Sequence, residues 1–197
     1  MRDGPSTLLI CCGATAREIV SIVERNGWSH MRVESLPADL HNRPDEIPGA
    51  ARAKIHAKRR DFDRILVLYS DCGTGGGLQA VLDEEGVEGI GGAHCYEMFA
   101  GAAAFDDIVE AEVGSFFLTD YLARHFDRLV YRGLGLDQHP ELRDCYFHAY
   151  RKLVYLAQRD DPELLARAEA AAERLDLEFE MRRTGFGAYQ QFLDGVE

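Results

Sequence analysis

Three of the five cysteines stand beside glycine turns: Cys12 before Gly13, Cys72 within Asp71-Cys72-Gly73, and Cys95 after Gly91-Gly92-Ala93-His94. A thiolate is a soft ligand and a strong nucleophile, so such residues suit Zn²⁺, an Fe–S cluster or covalent catalysis. Cys12, Cys72 and Cys95 are the candidate metal ligands. Asp71, His94 and Glu97 are the candidate acid–base groups beside them. The chain has no Cys-x-x-Cys, the local spacing by which most zinc sites are read. Convergence of the three thiols must therefore come from the fold. Cys11 adjoins Cys12, and Cys145, inside an amphipathic stretch, reads as core. An odd count with two adjacent members makes a poor disulfide framework, so free thiols are expected.

A second chemistry is suggested by the run Gly73-Thr74-Gly75-Gly76-Gly77. A glycine-rich turn between strand and helix exposes backbone N–H groups that can cradle a phosphate or carboxylate. It is neither Gly-x-Gly-x-x-Gly nor a Walker A loop. Gly73, Thr74, Gly75 and Gly76, with His41 in the loop Leu40-His41-Asn42, are the candidate cofactor-binding residues. Asp71 also suits the plainer role of capping the following helix.

The elements that would position these residues follow from pattern. Thr7 to Cys12, Met31 to Leu36, Arg64 to Tyr69 and Val87 to Ile90 read as strands, separated by helices over Ala14 to Arg25, Pro48 to Arg60 and Leu78 to Glu85. This alternation predicts an α/β fold: an open, doubly wound, mostly parallel sheet with helices on both faces. In such sheets ligands bind beyond the carboxyl ends of the strands, where strand order reverses. An order beginning 2-1-3-4 would set Cys12 and Cys72 astride that crevice, with Cys95 one strand further on. Each cysteine would lie near a helix start, where backbone dipoles lower a thiol pKa.

Further on, Ser115 to His125 reads as a helix with Phe116, Phe117, Leu118 and Tyr121 turned inward. Glu141 to Lys152 looks helical, Leu153 to Leu156 suits a strand, Asp161-Pro162 opens a helix through Leu175, and Leu177 to Met181 is a last strand. The whole chain, 1–197, is expected to form one domain. Halves at 1–110 and 111–197 are suggested by an echo of Phe62-Asp63-Arg64-Ile65-Leu66 in Phe126-Asp127-Arg128-Leu129-Val130.

Composition narrows the partners. With 22 basic and 34 acidic side chains the formal net charge is −12, which works against nucleic acid and anionic lipid alike. No segment approaches the roughly 20 apolar residues of a membrane span, and no secretory leader is read at the start. A cytoplasmic protein with reduced thiols is the expectation.

Taken together, Cys12-Gly13, Leu36-Pro37, Leu40-His41-Asn42, Asp71-Cys72-Gly73-Thr74-Gly75-Gly76, His94-Cys95-Tyr96-Glu97, Leu118-Thr119-Asp120, His125-Phe126-Asp127 and Gly133-Leu134-Gly135-Leu136-Asp137 give the chain a likeness. It resembles the prokaryotic family known as domain of unknown function 1638. Tyr-Gly-Asp is usual in that family where this chain has Tyr69-Ser70-Asp71, and the doubled Cys11-Cys12 is less typical. The resemblance implies no established activity. It does imply an association with methylated-amine metabolism through corrinoid-dependent methyl transfer, a chemistry in which zinc-held thiolates are natural partners.

The expectation is a metal- or Fe–S-binding protein, zinc or an Fe–S cluster being its cofactor, with corrinoid reached through a partner. Two other readings stay open. One is a non-catalytic accessory module binding a methyltransferase, a corrinoid protein or a small anion. The other is a metal-independent enzyme with a cysteine nucleophile.

Overall fold

The computed structural model describes residues 4–197. Strand β1 (Thr7–Cys12) leads into helix α1 (Ala16–Asn26), which ends at Gly27 in the left-handed conformation. Strand β2 (Met31–Leu36) follows, then two short 3-10 turns, Ala38–Asn42 and Pro44–Glu46, and helix α2 (Ile47–Lys58). Strand β3 (Arg64–Leu68), helix α3 (Gly77–Glu85), the two-residue strand β4 (Glu88–Gly89) and helix α4 (Cys95–Ala100) come next. Helix α5 (Ala102–Ala111) precedes strand β5 (Ser115–Thr119), helix α6 (Asp120–Phe126) and a π-helical turn over Asp127–Tyr131. Helix α7 (Leu142–Phe147), strand β6 (Lys152–Ala157), helix α8 (Pro162–Leu175), strand β7 (Glu178–Arg183) and helix α9 (Gly187–Val196) complete the chain.

The chain divides into two compact units, residues 4–98 with 186–197 and residues 99–185. The first carries a parallel sheet in the order β2-β1-β3-β4, the order under which Cys12 and Cys72 flank the crevice. Leu8, Ile10, Val67 and Tyr69 pack one face of it against Ile47, Ala51, Ile55, Leu78 and Leu82, with Cys12 and Cys72 at the margin of this core. Strand side chains alternate between faces, so Leu9 and Cys11 are buried on the other side. The second unit carries the parallel sheet β5-β6-β7, its core built from Leu118, Leu153 and Tyr155 with Leu164, Ala168 and Leu175 of α8. Both sheets are purely parallel and flanked by helices, as the α/β expectation has it.

Three readings are corrected. Ser115 to His125 is not one helix but β5 followed by α6, with Thr119 capping the helix through its hydroxyl. Phe116 meets Phe147 and Tyr150, while Phe117 meets Phe105. Successive rings on opposite faces are the signature of a strand, which a short apolar run cannot reveal by periodicity. The pentapeptide echo falls on β3 in one place and on the end of α6 with the π-turn in the other, so it marks no equivalent elements. Cys145 is exposed rather than core, because the short α7 buries Phe147 instead.

Candidate functional site

The carboxyl end of the first sheet is assembled by strand register. Cys11 pairs with Leu68 across β1 and β3, so Cys12, the next residue, stands level with Tyr69. Beyond Cys12 the chain turns sharply: the Gly13 N–H donates to the Leu36 carbonyl at 2.9 Å. A Cβ at Gly13 would lie 3.1 Å from that oxygen, so glycine permits the close approach. Between β3 and β4 the pairing runs on past the strands. The Asp71 N–H donates to Gly92 at 2.9 Å and the Cys72 N–H to Ala93 at 2.8 Å, which brings Cys72 beside the start of α4.

Backbone donors reach the sulfurs. The Ala14 N–H donates to Cys12 Sγ at 3.4 Å, the Cys95 N–H to the Cys72 sulfur, and the Cys95 and Tyr96 N–H groups to the Cys95 sulfur. These bonds favour thiolates, yet the thiol pKa values move upward. Burial is the largest cause for all three: it raises Cys12, lifts Cys72 to about 11 and pushes Cys95 further still. Cys95 retains some exposed surface as a residue while its sulfur is enclosed by protein. The charge of Cys12 raises Cys72, and both raise Cys95. The lowered pKa expected from helix starts is therefore reversed, since loss of water outweighs a few backbone dipoles. Cys11 is raised to about 12 by burial and lies on the opposite face near Thr15 and Glu18.

Two tyrosines share this setting, and neither stood out in the sequence. Tyr69 is 2% exposed, and its hydroxyl lies against the Cys12 sulfur without a well-formed hydrogen bond. Its pKa is raised by burial and by the charges of Cys12, Cys72 and Cys95. Tyr189 of α9 is buried, faces Ser70, and is raised by burial and by the same three thiols. The signal for Tyr69 was present in the Tyr69-Ser70-Asp71 strand end. Tyr189 had none, because no motif marks the segment that becomes α9.

The acid–base candidates serve the local backbone. Asp71 accepts from the Thr74 hydroxyl and from the Gly75 and Gly76 N–H groups at 3.1 and 2.9 Å. The Thr74 hydroxyl, followed by those backbone donors, holds the Asp71 carboxyl below its ordinary range. The glycine turn's N–H groups are thus directed at the chain's own carboxylate. Gly73 packs near Pro44, and Thr74 passes the cap on by accepting from the Leu78 N–H at 3.2 Å. His94 Nδ1 accepts from the Glu97 N–H at 3.4 Å while the Glu97 carboxylate accepts from the Ala93 N–H at 2.9 Å, a reciprocal cap on α4. His41 is exposed on the 3-10 turn after β2.

The model of a protein family of unknown function, DUF1638, matches residues 35–193. The chain belongs to the DUF1638 family. Cys72 and Cys95 lie within the matched span and Cys12 before it. No curated protein and no solved structure shows significant similarity to the chain. Among the described residues, no group of three or more His, Cys, Asp and Glu side chains is placed to hold a metal ion. No helix among them is long and apolar enough to cross a membrane.

Proposed function

We propose that this DUF1638 protein binds a soft metal through Cys12, Cys72 and Cys95, zinc in first place and an Fe–S cluster in second. The observation that carries the reading is the backbone register that brings the ends of β1 and β3 and the start of α4 to one edge of the sheet, so that the charge of Cys12 reaches Cys72 and the charges of both reach Cys95. Burial acts on all three sulfurs, the Tyr69 hydroxyl and the Ala14 N–H on Cys12, the charges of Cys12 and Asp71 on Cys72, and the charges of Cys72 and Cys12 on Cys95. Three thiolates in one desolvated setting repel, and a bound cation relieves that repulsion. Sulfur donors of this number suit zinc, which keeps a fourth position open in catalytic sites. The proposal requires the side chains to re-orient on binding, since as placed they form no metal-holding group.

When bound, such an ion supplies positive charge, keeping thiolates ionised and activating a fourth ligand. The chain's own residues do the rest. N–H groups of Ala14, Cys95 and Tyr96 steady the sulfurs, and Tyr69 and Tyr189 exclude water around them. A reducing, cytoplasmic setting is part of the proposal, because it keeps these thiols free. Methyl transfer, with a corrinoid protein or methyltransferase as partner, is the reaction class in which we propose to seek the substrate. The cysteine-nucleophile alternative is weakened by the raised thiol pKa values, which leave little thiolate near neutral pH without a metal. The anion-binding alternative is weakened by Asp71, which takes the glycine turn's donors.

The test is metal analysis of chain purified without oxygen, beside the single variants Cys12→Ser, Cys72→Ser and Cys95→Ser. Stoichiometric zinc or iron, lost in each variant, supports the proposal. Metal-free wild-type chain that stays so after reconstitution ends it.

A further inference from the structure

Strand β7 closes one edge of the second unit's sheet, with β6 on one side and, among the described residues, no strand on the other. The Glu178 N–H donates to the Arg151 carbonyl and the Thr184 N–H to the Ala157 carbonyl, both on the β6 side. Backbone direction alternates along a strand, so the N–H and C=O groups of Phe179, Met181 and Arg183 point outward. An open row of this kind invites a further strand. The Arg182 and Arg183 side chains are 58% and 67% exposed, so the end of this edge is open to solvent.

The order of charges along β7 selects the partner. Acidic Glu178 and Glu180 come first, basic Arg182 and Arg183 last. A second copy of β7 laid antiparallel reverses that order and sets unlike charges face to face. The position of the two-fold axis decides the match. Centred on Met181, it puts Glu180 opposite Arg182 of the second copy at two crossings. Phe179 then faces Arg183 and Met181 faces itself, so outward groups meet outward groups and each such pair exchanges two N–H···O bonds. Centred on Phe179, Glu180 or Arg182, the axis sets like charges opposite one another, which is unfavourable. Other edges lack this match: β4 has two residues, β5 carries no charge, and Glu34 of β2 is already held by Lys54 and Lys58. We infer that the outer edge of β7 binds the same edge of a second copy, antiparallel and centred on Met181, joining two three-stranded sheets into one. The contact is small, so association depends on concentration. It stands independently of the metal reading.

The experiment is sedimentation equilibrium of the full chain from about 1 to 300 µM, the span a small interface needs. Reducing buffer keeps the exposed Cys145 from linking copies through a disulfide. Wild type should pass from monomer to dimer across that span. Arg182→Glu and Glu180→Lys each set like charges opposite at both crossings, and each should weaken the dimer about tenfold. An equimolar mixture of the two variants restores unlike charges at both crossings and should associate with near wild-type strength. Arg183→Pro removes an outward N–H and leaves the β6 ladder whole, so it should fold as wild type and dimerise more weakly. That variant decides alone if the charge variants fail to fold. Wild type that stays monomeric overturns the inference. So does a dimer that Arg183→Pro or a folded charge variant leaves as tight, or a mixture no tighter than its parts.

Discussion

Cys72 holds a backbone conformation that its side chain disfavours, with φ at +48°. Only Cys72 and Asp176 have positive φ among the described residues other than glycine, and Cys72 lies directly before Gly73 at +90°. The left-handed region costs a residue with a Cβ about 1–2 kcal/mol. Strain of this kind persists where a side chain is needed at one place. Replacing Cys72 by Gly and by Ala separates the strain from the thiol, since both remove the sulfur and only Ala keeps the Cβ. At an ordinary position Gly is the less stable by roughly 0.5–1 kcal/mol, because it frees the unfolded chain. Here relief of about 1–2 kcal/mol opposes that entropy and a few tenths for a half-buried Cβ. Cys72→Gly should therefore be the more stable by about 0.5 kcal/mol, or about 1–2 °C in melting temperature for a chain of this size. Denaturant and thermal melts of the two metal-free variants measure the difference. Cys72→Ala as stable as Cys72→Gly, or more so, would refute the strain argument.

Asp120, 1% exposed, accepts from the Tyr155 hydroxyl at 2.7 Å and the Gln158 N–H at 3.1 Å, while its second carboxylate oxygen is buried without a partner. Burial raises its pKa, so the fold favours the protonated carboxyl, and that contribution is full below the ordinary carboxylate range and lost as pH rises through the folded value. Asp120→Asn should flatten the loss of stability that wild type shows as pH rises above the ordinary carboxylate range; an unchanged slope in thermal melts would count against this. Cys145 is exposed while burial raises the other four thiols. In native metal-free chain one cysteine should alkylate rapidly near neutral pH and four slowly, and mass spectrometry finding a second fast site would contradict the burial of the set.

The strands of the first sheet were legible because short apolar runs closed by turn residues can be seen in the residues themselves, whereas their order, entertained as 2-1-3-4, comes from the structure. Thr7 to Cys12 and Arg64 to Tyr69 needed no tertiary information. Asn26-Gly27 and Asp161-Pro162 likewise marked a helix end and a helix start by local chemistry alone. What failed was decided by packing. Phe116 and Phe117 suit a helix or a strand until the neighbours of each ring are known. The direction of the thiol pKa shifts was misread for a related reason: a helix start is visible in sequence, whereas the protein that walls off Cys95 is not. Tyr189 joined the site only because α9 returns to the unit that holds the first sheet. The turn residues Asp71, Thr74 and Gly76 were found, but their use of one another as partners depends on side-chain direction.

The most direct test of the metal reading is a zinc titration of the metal-free chain in weak buffer near neutral pH, counting protons released per ion bound. Three buried thiols that are protonated before binding and ionised after it predict one zinc per chain and a release approaching three protons. Failure to take up zinc, or stoichiometric uptake with no proton release, would contradict the assignment of Cys12, Cys72 and Cys95 as its ligands.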